Sequence, residues 1–266
     1  MISVIIPTIQ KNIKILEVLV NVLNQDSSVG EIILIDNSSK GFEENFLQKF
    51  DKIKLLVNDT NKYVNPVWNQ GIEAAKYEYF ALFNDDVIIP ENFCSKIHSL
   101  LSENIGIVGM ASESVLTLNP ENLENLKCDA DYNPIISLAA NRNNWFGIIM
   151  FGHKSSYYKI PNDMLILCGD DYLMLKNNKN GKNNYKIANV QVYHLHSMSS
   201  SLPCFCDIKF KDVANMKKYF PDFNFELEGK DSFLEKIFSV QNSYGGKYKV
   251  LTILGLKFKF ERKYKE

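Results

Sequence analysis

The chain has 266 residues, enough for one large domain or one domain with a smaller appendage. Apolar residues make up 45% and charged residues 23%, ordinary for a globular protein, and a net charge of −1 gives no global field to attract nucleic acid. The five cysteines (Cys94, Cys128, Cys168, Cys204, Cys206) are odd in number and irregularly spaced, which suits reduced thiols in a cytoplasm better than a disulfide framework.

The chain opens on an apolar run, Ile2 to Ile6, too short and too little basic for a signal segment. No stretch approaches the ~18 apolar residues of a membrane span. The expectation is a cytoplasmic protein with neither leader nor span. Ser3 to Ile6 reads as a buried strand stopped by Pro7. Ile13 to Leu23 has helical spacing, and Glu31 to Ile35 is a second strand ending in Asp36-Asn37-Ser38-Ser39. A short helix over Phe42 to Phe50 and a strand over Ile53 to Val57 follow. Pro66 to Lys76 is a helix with proline in its first turn. Tyr79 to Phe83 is a strand that delivers the chain to Asn84-Asp85-Asp86, and Pro90 to Leu101 and Ile105 to Met110 add a helix and a strand.

Strict alternation of strand and helix means βαβ units and a mainly parallel sheet, whose ligands bind beyond the carboxyl ends of the strands. Three polar clusters fall there: Pro7-Thr8, Asp36 with its successors, and Asn84-Asp85-Asp86. The second half is less regular. Trp145 to Phe151 is a strand candidate, Gly169 to Lys176 a helix, and Ile187 to Tyr193 a strand running into His194-Leu195-His196. Beyond about residue 200, Phe, Lys and Asn dominate, and 247–266 carries seven basic residues against two acidic.

Adjacent carboxylates repel, so Asp85 and Asp86 call for a cation such as Mg²⁺ or Mn²⁺, or else for a turn or helix cap. Asp170 and Asp171 open a helix and suit either a general base or partners of the helix dipole. His194 and His196 share a strand face, as metal ligands, diphosphate donors or packed side chains. Asp36 accepts hydrogen bonds from a base or ribose, or closes an Asx-turn on Ser38 or Ser39. Trp68-Asn69 reads locally as one core aromatic and one exposed amide.

The order and spacing of these motifs resemble the family 2 glycosyltransferases over roughly residues 1 to 200. Ile2-Ser-Val-Ile-Ile-Pro-Thr8 resembles the opening strand, and Glu31 to Ser39 the strand whose aspartate meets the base. Asn61-Lys-Tyr-Val-Asn-Pro-Val-Trp-Asn-Gln-Gly-Ile72 resembles the segment carrying Asn, Gly and then Asn-x-Gly-Ile. Glu78 to Asp86 resembles the strand ending in the DxD motif, Cys168 to Met174 the acidic ED motif, and Val192 to Ser197 the late histidine segment.

The resemblance implies an α/β protein of GT-A fold, a Rossmann-like mainly parallel sheet with helices on both faces. It implies a catalytic domain over 1–200 and a helical, basic extension over 201–266. It implies metal-dependent, inverting transfer of one sugar, hexosyl or N-acetylhexosaminyl, from a nucleotide-sugar, with UDP the default. The acceptor would be a hydroxyl of a glycan or lipid-linked glycan in bacterial lipopolysaccharide or capsule synthesis. Asp171, or else Asp170, would be the base. Asp86, His194 and His196 would hold Mn²⁺ or Mg²⁺. Pro7, Thr8, Asp36, Asn69, Asn84 and Asp85 would meet the donor. No nucleic acid partner is expected, and 247–266 suits peripheral contact with the inner face of a membrane. Three positions depart from the pattern: Asn84 stands where the first aspartate is usual, Tyr63 where a glycine is usual, and Trp68 where an arginine is frequent. These departures keep open a catalytically impaired, nucleotide-sugar-binding relative. A sugar nucleotidyltransferase is the other alternative, although Pro7-Thr-Ile-Gln-Lys11 lacks the glycine-rich loop expected of one.

Overall fold

A computed structural model describes residues 1–118, 128–129, 131–140, 145–195, 206–223, 238–242, 248–253 and 256–261. The chain divides into two compact units, Met1–His196 and Ser197–Glu266.

The first unit is built on β1 (Ile2–Thr8), β2 (Val29–Asp36), β3 (Ile53–Val57) and β4 (Tyr79–Phe83), linked by α1 (Ile13–Gln25), the short α2 (Glu44–Leu47) and α3 (Val64–Ala74). Then come β5 (Val87–Ile88), α4 (Phe93–His98), β6 (Val108–Met110), β7 (Val115–Thr117), β8 (Ile135–Leu138), β9 (Ile149–His153), α5 (Gly169–Lys179), β10 (Tyr185–Ala188) and β11 (Val192–His194). Eight strands form the main sheet in the order β3-β2-β1-β4-β9-β6-β10-β8. The four strands from β3 to β4 are parallel, as are β6 and β10, while β9 and β8 run against their neighbours. This is the mainly parallel α/β architecture expected from the alternation of periods.

β1 runs through Pro7 to Thr8 instead of stopping at the proline. Its pairing with β4 ends at Ile5↔Leu82, whereas its pairing with β2 continues to Thr8↔Asp36. Beyond Ile5 the strand has one neighbour, so a missing N–H there interrupts no ladder on the other side. α1 buries Ile15, Leu16, Leu19, Val20 and Leu23, the spacing that covers one face of a sheet. α3 lies close on β1 because Gly71 has no side chain: a Cβ there would come within 2.3 Å of Ile5 Cγ2. Phe83, Phe93 and Phe151 pack ring to ring, with centroids 5.8–6.4 Å apart. Each such pair contributes about 0.5–1.5 kcal/mol beyond area burial, and together they make a stiff floor beneath the end of β4.

The single strand expected over Ile187 to Tyr193 is two strands in two sheets. Asn189 takes a left-handed conformation (φ 59°) that asparagine tolerates, and its side-chain amide donates to Asn133 O. There the chain leaves the main sheet and enters a small one, β5-β11-β7. Trp145 to Phe151 likewise begins not as a strand but as a 3₁₀ turn over Phe146–Ile148, and becomes extended only at Ile149.

In the second unit, α6 (Cys206–Tyr219) precedes an antiparallel meander of β12 (Phe238–Asn242), β13 (Tyr248–Ile253) and β14 (Leu256–Glu261), so strands join the helix expected there. Among the described residues no helix is long and apolar enough to cross a membrane.

Candidate active site

The parallel strands carry Thr8, Asp36 and Asn84 to one rim, because β1, β2 and β4 run the same way and end nearly level. Thr8 ties the three ends together. Its hydroxyl donates to Asp85 Oδ2 at 2.5 Å and accepts from Gln10 N at 2.9 Å, and its carbonyl accepts from Asn37 N.

Asp36 is fully buried and sits in the Asx-type turn that was one of its two sequence readings. Oδ1 accepts from Ser38 N at 2.7 Å and Oδ2 from Gly41 N at 2.6 Å. Burial pushes its pKa up, but bonds from Ser38, Gly41 and Gln10 outweigh burial and hold the carboxyl below its usual range. The carboxylate therefore shapes the 36–41 loop. Asn37 fixes the next segment, accepting from Asn58 Nδ2 and Lys62 N and donating to Tyr63 O.

On the other side of Thr8 the chain passes through Asn84, whose N–H donates to Ile148 O, to Asp85 and Asp86. Backbone pairing brings His194 here: it lies opposite Val87 in the β5–β11 pair, and Leu195 N donates to Asp86 O. His194 Nε2 and Asp86 Oδ1 stand 3.1 Å apart, both side chains largely buried. The contact lacks hydrogen-bond alignment, which leaves Asp86 Oδ1 buried with no hydrogen-bond partner among the described residues; His194 Nδ1, the other ring nitrogen, is also buried without one among them. Leaving such groups unsatisfied costs about 1–3 kcal/mol each. Two ligands at right angles on an ion with bonds of about 2.1 Å stand about 3 Å apart. The Asp86–His194 pair therefore fits two neighbouring positions around Mg²⁺ or Mn²⁺. Among the described residues no cluster of three or more His, Cys, Asp or Glu side chains is arranged to hold a metal; Mg²⁺ commonly completes its shell with water and substrate phosphate oxygens. Burial pushes the Asp85 carboxyl up to about 6, against the pull of the Thr8 hydroxyl and with the help of the Asp86 charge. A cation beside it would oppose that shift.

The acidic pair of α5 is set by α3. Asn65 N donates to Leu165 O, and Asn65 Nδ2 donates to Met164 O and Leu167 O. Asn65 and Trp68 press onto Gly169 so closely that a Cβ there would come within 2.2 Å of Asn65 Oδ1 and 3.0 Å of Trp68 Cζ3. Cys168 turns the chain into the helix at φ 62°. Asp171 is then buried, and Asp170, half-buried, leans over Gly147 with Oδ2 2.9 Å from where a Cβ would stand. Gly147 belongs to the turn whose Ile148 O receives Asn84 N. The ED-like pair and the Asn84-Asp85-Asp86 segment thus meet through one short turn.

Two further expected site residues make scaffold contacts. Asn69 is committed to scaffold: its Oδ1 accepts from Tyr157 OH and Ile160 N, and its Nδ2 donates to Ile160 O. These bonds tie Asn69 of α3 to the 157–160 loop. Pro7, paired with Ile35, is half-buried just before Thr8 and contributes backbone shape. His196 lies outside the described residues.

One contact was not legible in the sequence, and one departure from the family pattern has a backbone consequence. Trp145 sets its ring edge-to-face on His194, centroids 5.4 Å apart and planes at 73°. An aromatic followed by Phe146-Gly147 was the only signal, and it read as strand. Tyr63, where the resemblance expects glycine, holds φ 64° and ψ 179° at the start of α3. That region is essentially reserved for glycine and costs another residue about 1–3 kcal/mol.

The family model described as glycosyl transferase family 2 matches residues 3–154. The crystal structure of S. aureus TarS 1-349 in complex with UDP is similar in fold (TM-score 0.54, 14% identity), covering 81% of this chain and 65% of that one. A longer S. aureus TarS structure gives a TM-score of 0.53 at 14% identity, over 81% of this chain and 39% of that one. GalNAc-T7 with UDP, GalNAc and Mn²⁺ gives 0.52 at 12% identity, over 74% and 44%. The chain thus spans less than two thirds of these structures' own length. No curated protein matches it.

Proposed function

This chain belongs to glycosyl transferase family 2, and on that premise we propose that it moves one sugar from a nucleoside diphosphate sugar to an acceptor hydroxyl, with inversion at the anomeric carbon. The observation that carries the reading is the Asp86–His194 corner, two largely buried side chains facing each other at 3.1 Å without hydrogen-bond alignment. Asp86 and His194 would hold Mn²⁺ or Mg²⁺, which when bound supplies positive charge and Lewis acidity against the departing diphosphate. Asp85, fixed by the Thr8 hydroxyl, faces the ribose or sugar. Asn84 leaves the first DxD position without charge, so the ion rests chiefly on Asp86.

Asp171 takes the proton of the attacking acceptor hydroxyl. Its burial at the start of α5, beside Asp170, limits access of water that would compete with the acceptor. One base and no covalent intermediate suffice for an inverting displacement. UDP in the TarS structure, and UDP, GalNAc and Mn²⁺ in the GalNAc-T7 structure, support UDP as the nucleotide, a divalent ion as cofactor, and a hexose or N-acetylhexosamine as the sugar. The mixed basic and apolar sequence of 247–266 supports peripheral membrane contact and a lipid-linked glycan acceptor, in lipopolysaccharide or capsule synthesis. Tyr63 and Asn84 favour one second reading, a relative that binds the nucleotide-sugar but turns it over poorly.

The test is release of free UDP from a panel of UDP-sugars with Mn²⁺ and candidate acceptors. Acceptor-stimulated release that falls at least 10³-fold in Asp171→Asn, and much less in Asp170→Asn, supports the assignment. Asp171→Asn turnover near the wild-type rate would remove Asp171 from that role. Tight UDP binding with no release for any acceptor would favour the second reading.

A further inference from the structure

The two halves of the Asp86–His194 corner are held in different ways. Asp86 follows a strand of the main sheet, and its carbonyl is bonded to Leu195 N. β11 fixes only the backbone of His194, opposite Val87, and leaves its side-chain torsions to be set by what surrounds the ring. An imidazole that faces a metal ion is ordinarily oriented by a hydrogen bond at its other nitrogen. Here that nitrogen, Nδ1, is buried and makes none to the described residues.

Trp145 touches the ring instead, in the edge-to-face geometry that aromatic pairs prefer. The indole is delivered by a well-anchored segment. Trp145 caps the 3₁₀ turn Phe146–Ile148, and Phe146 packs on Gly109 of β6 so tightly that a Cβ there would come within 2.5 Å of Phe146 O. Ile148 O accepts from Asn84 N, so the turn is tied to the strand end that carries Asp85 and Asp86.

We propose that Trp145 is a positioning residue for the site: its indole takes the place of a hydrogen bond at Nδ1 and holds the His194 imidazole with Nε2 turned toward Asp86. The consequence for metal binding rests on the cation reading given above, while ring orientation is a property of the metal-free protein.

The experiment has two readouts on the full chain, for wild type, Trp145→Ala, Trp145→Leu, Trp145→Phe and His194→Ala. The first is ¹⁵N NMR of the histidine rings without metal. Trp145→Ala and Trp145→Leu should broaden or split the His194 ring signals, and Trp145→Phe, which keeps an aromatic edge, should leave one set. Leucine fills much of the volume, so it separates lost orientation from a collapsed cavity. The second readout is calorimetric titration with Mn²⁺ alone. Trp145→Ala and Trp145→Leu should weaken affinity about tenfold or more, the size of effect seen when groups that orient metal ligands are removed, and Trp145→Phe should stay within about threefold of wild type. If wild type binds no Mn²⁺, the cation reading fails and the ring signals alone decide: unchanged His194 signals in Ala and Leu overturn the positioning role. If His194→Ala weakens Mn²⁺ binding while both Trp145 variants keep wild-type affinity and ring signals, the role is likewise overturned.

Discussion

The two carboxylate groups on the rim differ in what they lack. Asp36 is fully buried and both its oxygens are engaged by amides of its own loop. Asp86, which follows β4 on the far side of β1, has a buried oxygen with no hydrogen-bond partner among the described residues; it faces His194 Nε2 at 3.1 Å, and the other nitrogen of that ring, Nδ1, is likewise without one. Folding alone accounts for the first arrangement, since two charge-assisted hydrogen bonds offset burial. It does not account for the second, whose unsatisfied atoms are costly until a ligand engages them. The contrast separates loop building from ligand binding among residues that look alike in the sequence.

The largest effect that would sharpen the contrast is kinetic. Asp86→Ala should lower kcat/KM at least 10³-fold, about 4 kcal/mol of transition-state stabilisation, with no loss of thermal stability. A large fall in melting temperature would instead make Asp86 a scaffold residue. Asp36→Ala should do the reverse. It strands the Ser38 and Gly41 amides and should cost about 3 kcal/mol in denaturant unfolding, and a loss under 1 kcal/mol would break the comparison.

Asp85 gives a pH signature. Its folded pKa is raised to about 6 from 3.8, so the folded metal-free protein binds this proton more tightly than the unfolded chain does. A stability penalty therefore accrues as pH rises from about 4 to 6 and is constant above. Asp85→Asn removes it, so the metal-free variant should be more stable than wild type at pH 8, by about 1–2 kcal/mol after allowance for solvent screening. The gain should shrink toward zero at pH 4.5, and a gain independent of pH would contradict the assignment. The smallest effect belongs to Tyr63. Tyr63→Gly relieves about 1–3 kcal/mol of backbone strain against about 0.5–1 kcal/mol of added chain entropy. Chemical denaturation should show a net gain of about 1 kcal/mol, and a net loss would mean that side-chain contacts outweigh the strain.

Much of this was legible because parallel strands announce themselves. Buried runs ended by polar clusters place Thr8, Asp36 and Asn84-Asp85-Asp86 on one rim from the sequence pattern alone. What was not legible depended on tertiary placement. A left-handed Asn189 splits one apparent strand and moves His194 into the small sheet, where it meets Asp86. Asn69 carries a motif position but is absorbed by the 157–160 loop, whose partners lie about 90 residues downstream in the sequence. Trp145 looked like part of a strand, because an aromatic-rich run does not reveal that its first residues turn. Asp36 matched both of its readings in sequence, and only the amides of Ser38 and Gly41 distinguish them.

The central claim is that the Asp86–His194 corner holds a divalent ion that the donor diphosphate shares. Calorimetric titration of UDP into the full chain tests it most directly, with Mn²⁺ and again in EDTA, for wild type and Asp86→Ala. The account predicts UDP binding that requires Mn²⁺ and is lost in Asp86→Ala at an unchanged melting temperature. UDP binding of equal affinity in EDTA, or in Asp86→Ala with Mn²⁺, would contradict it.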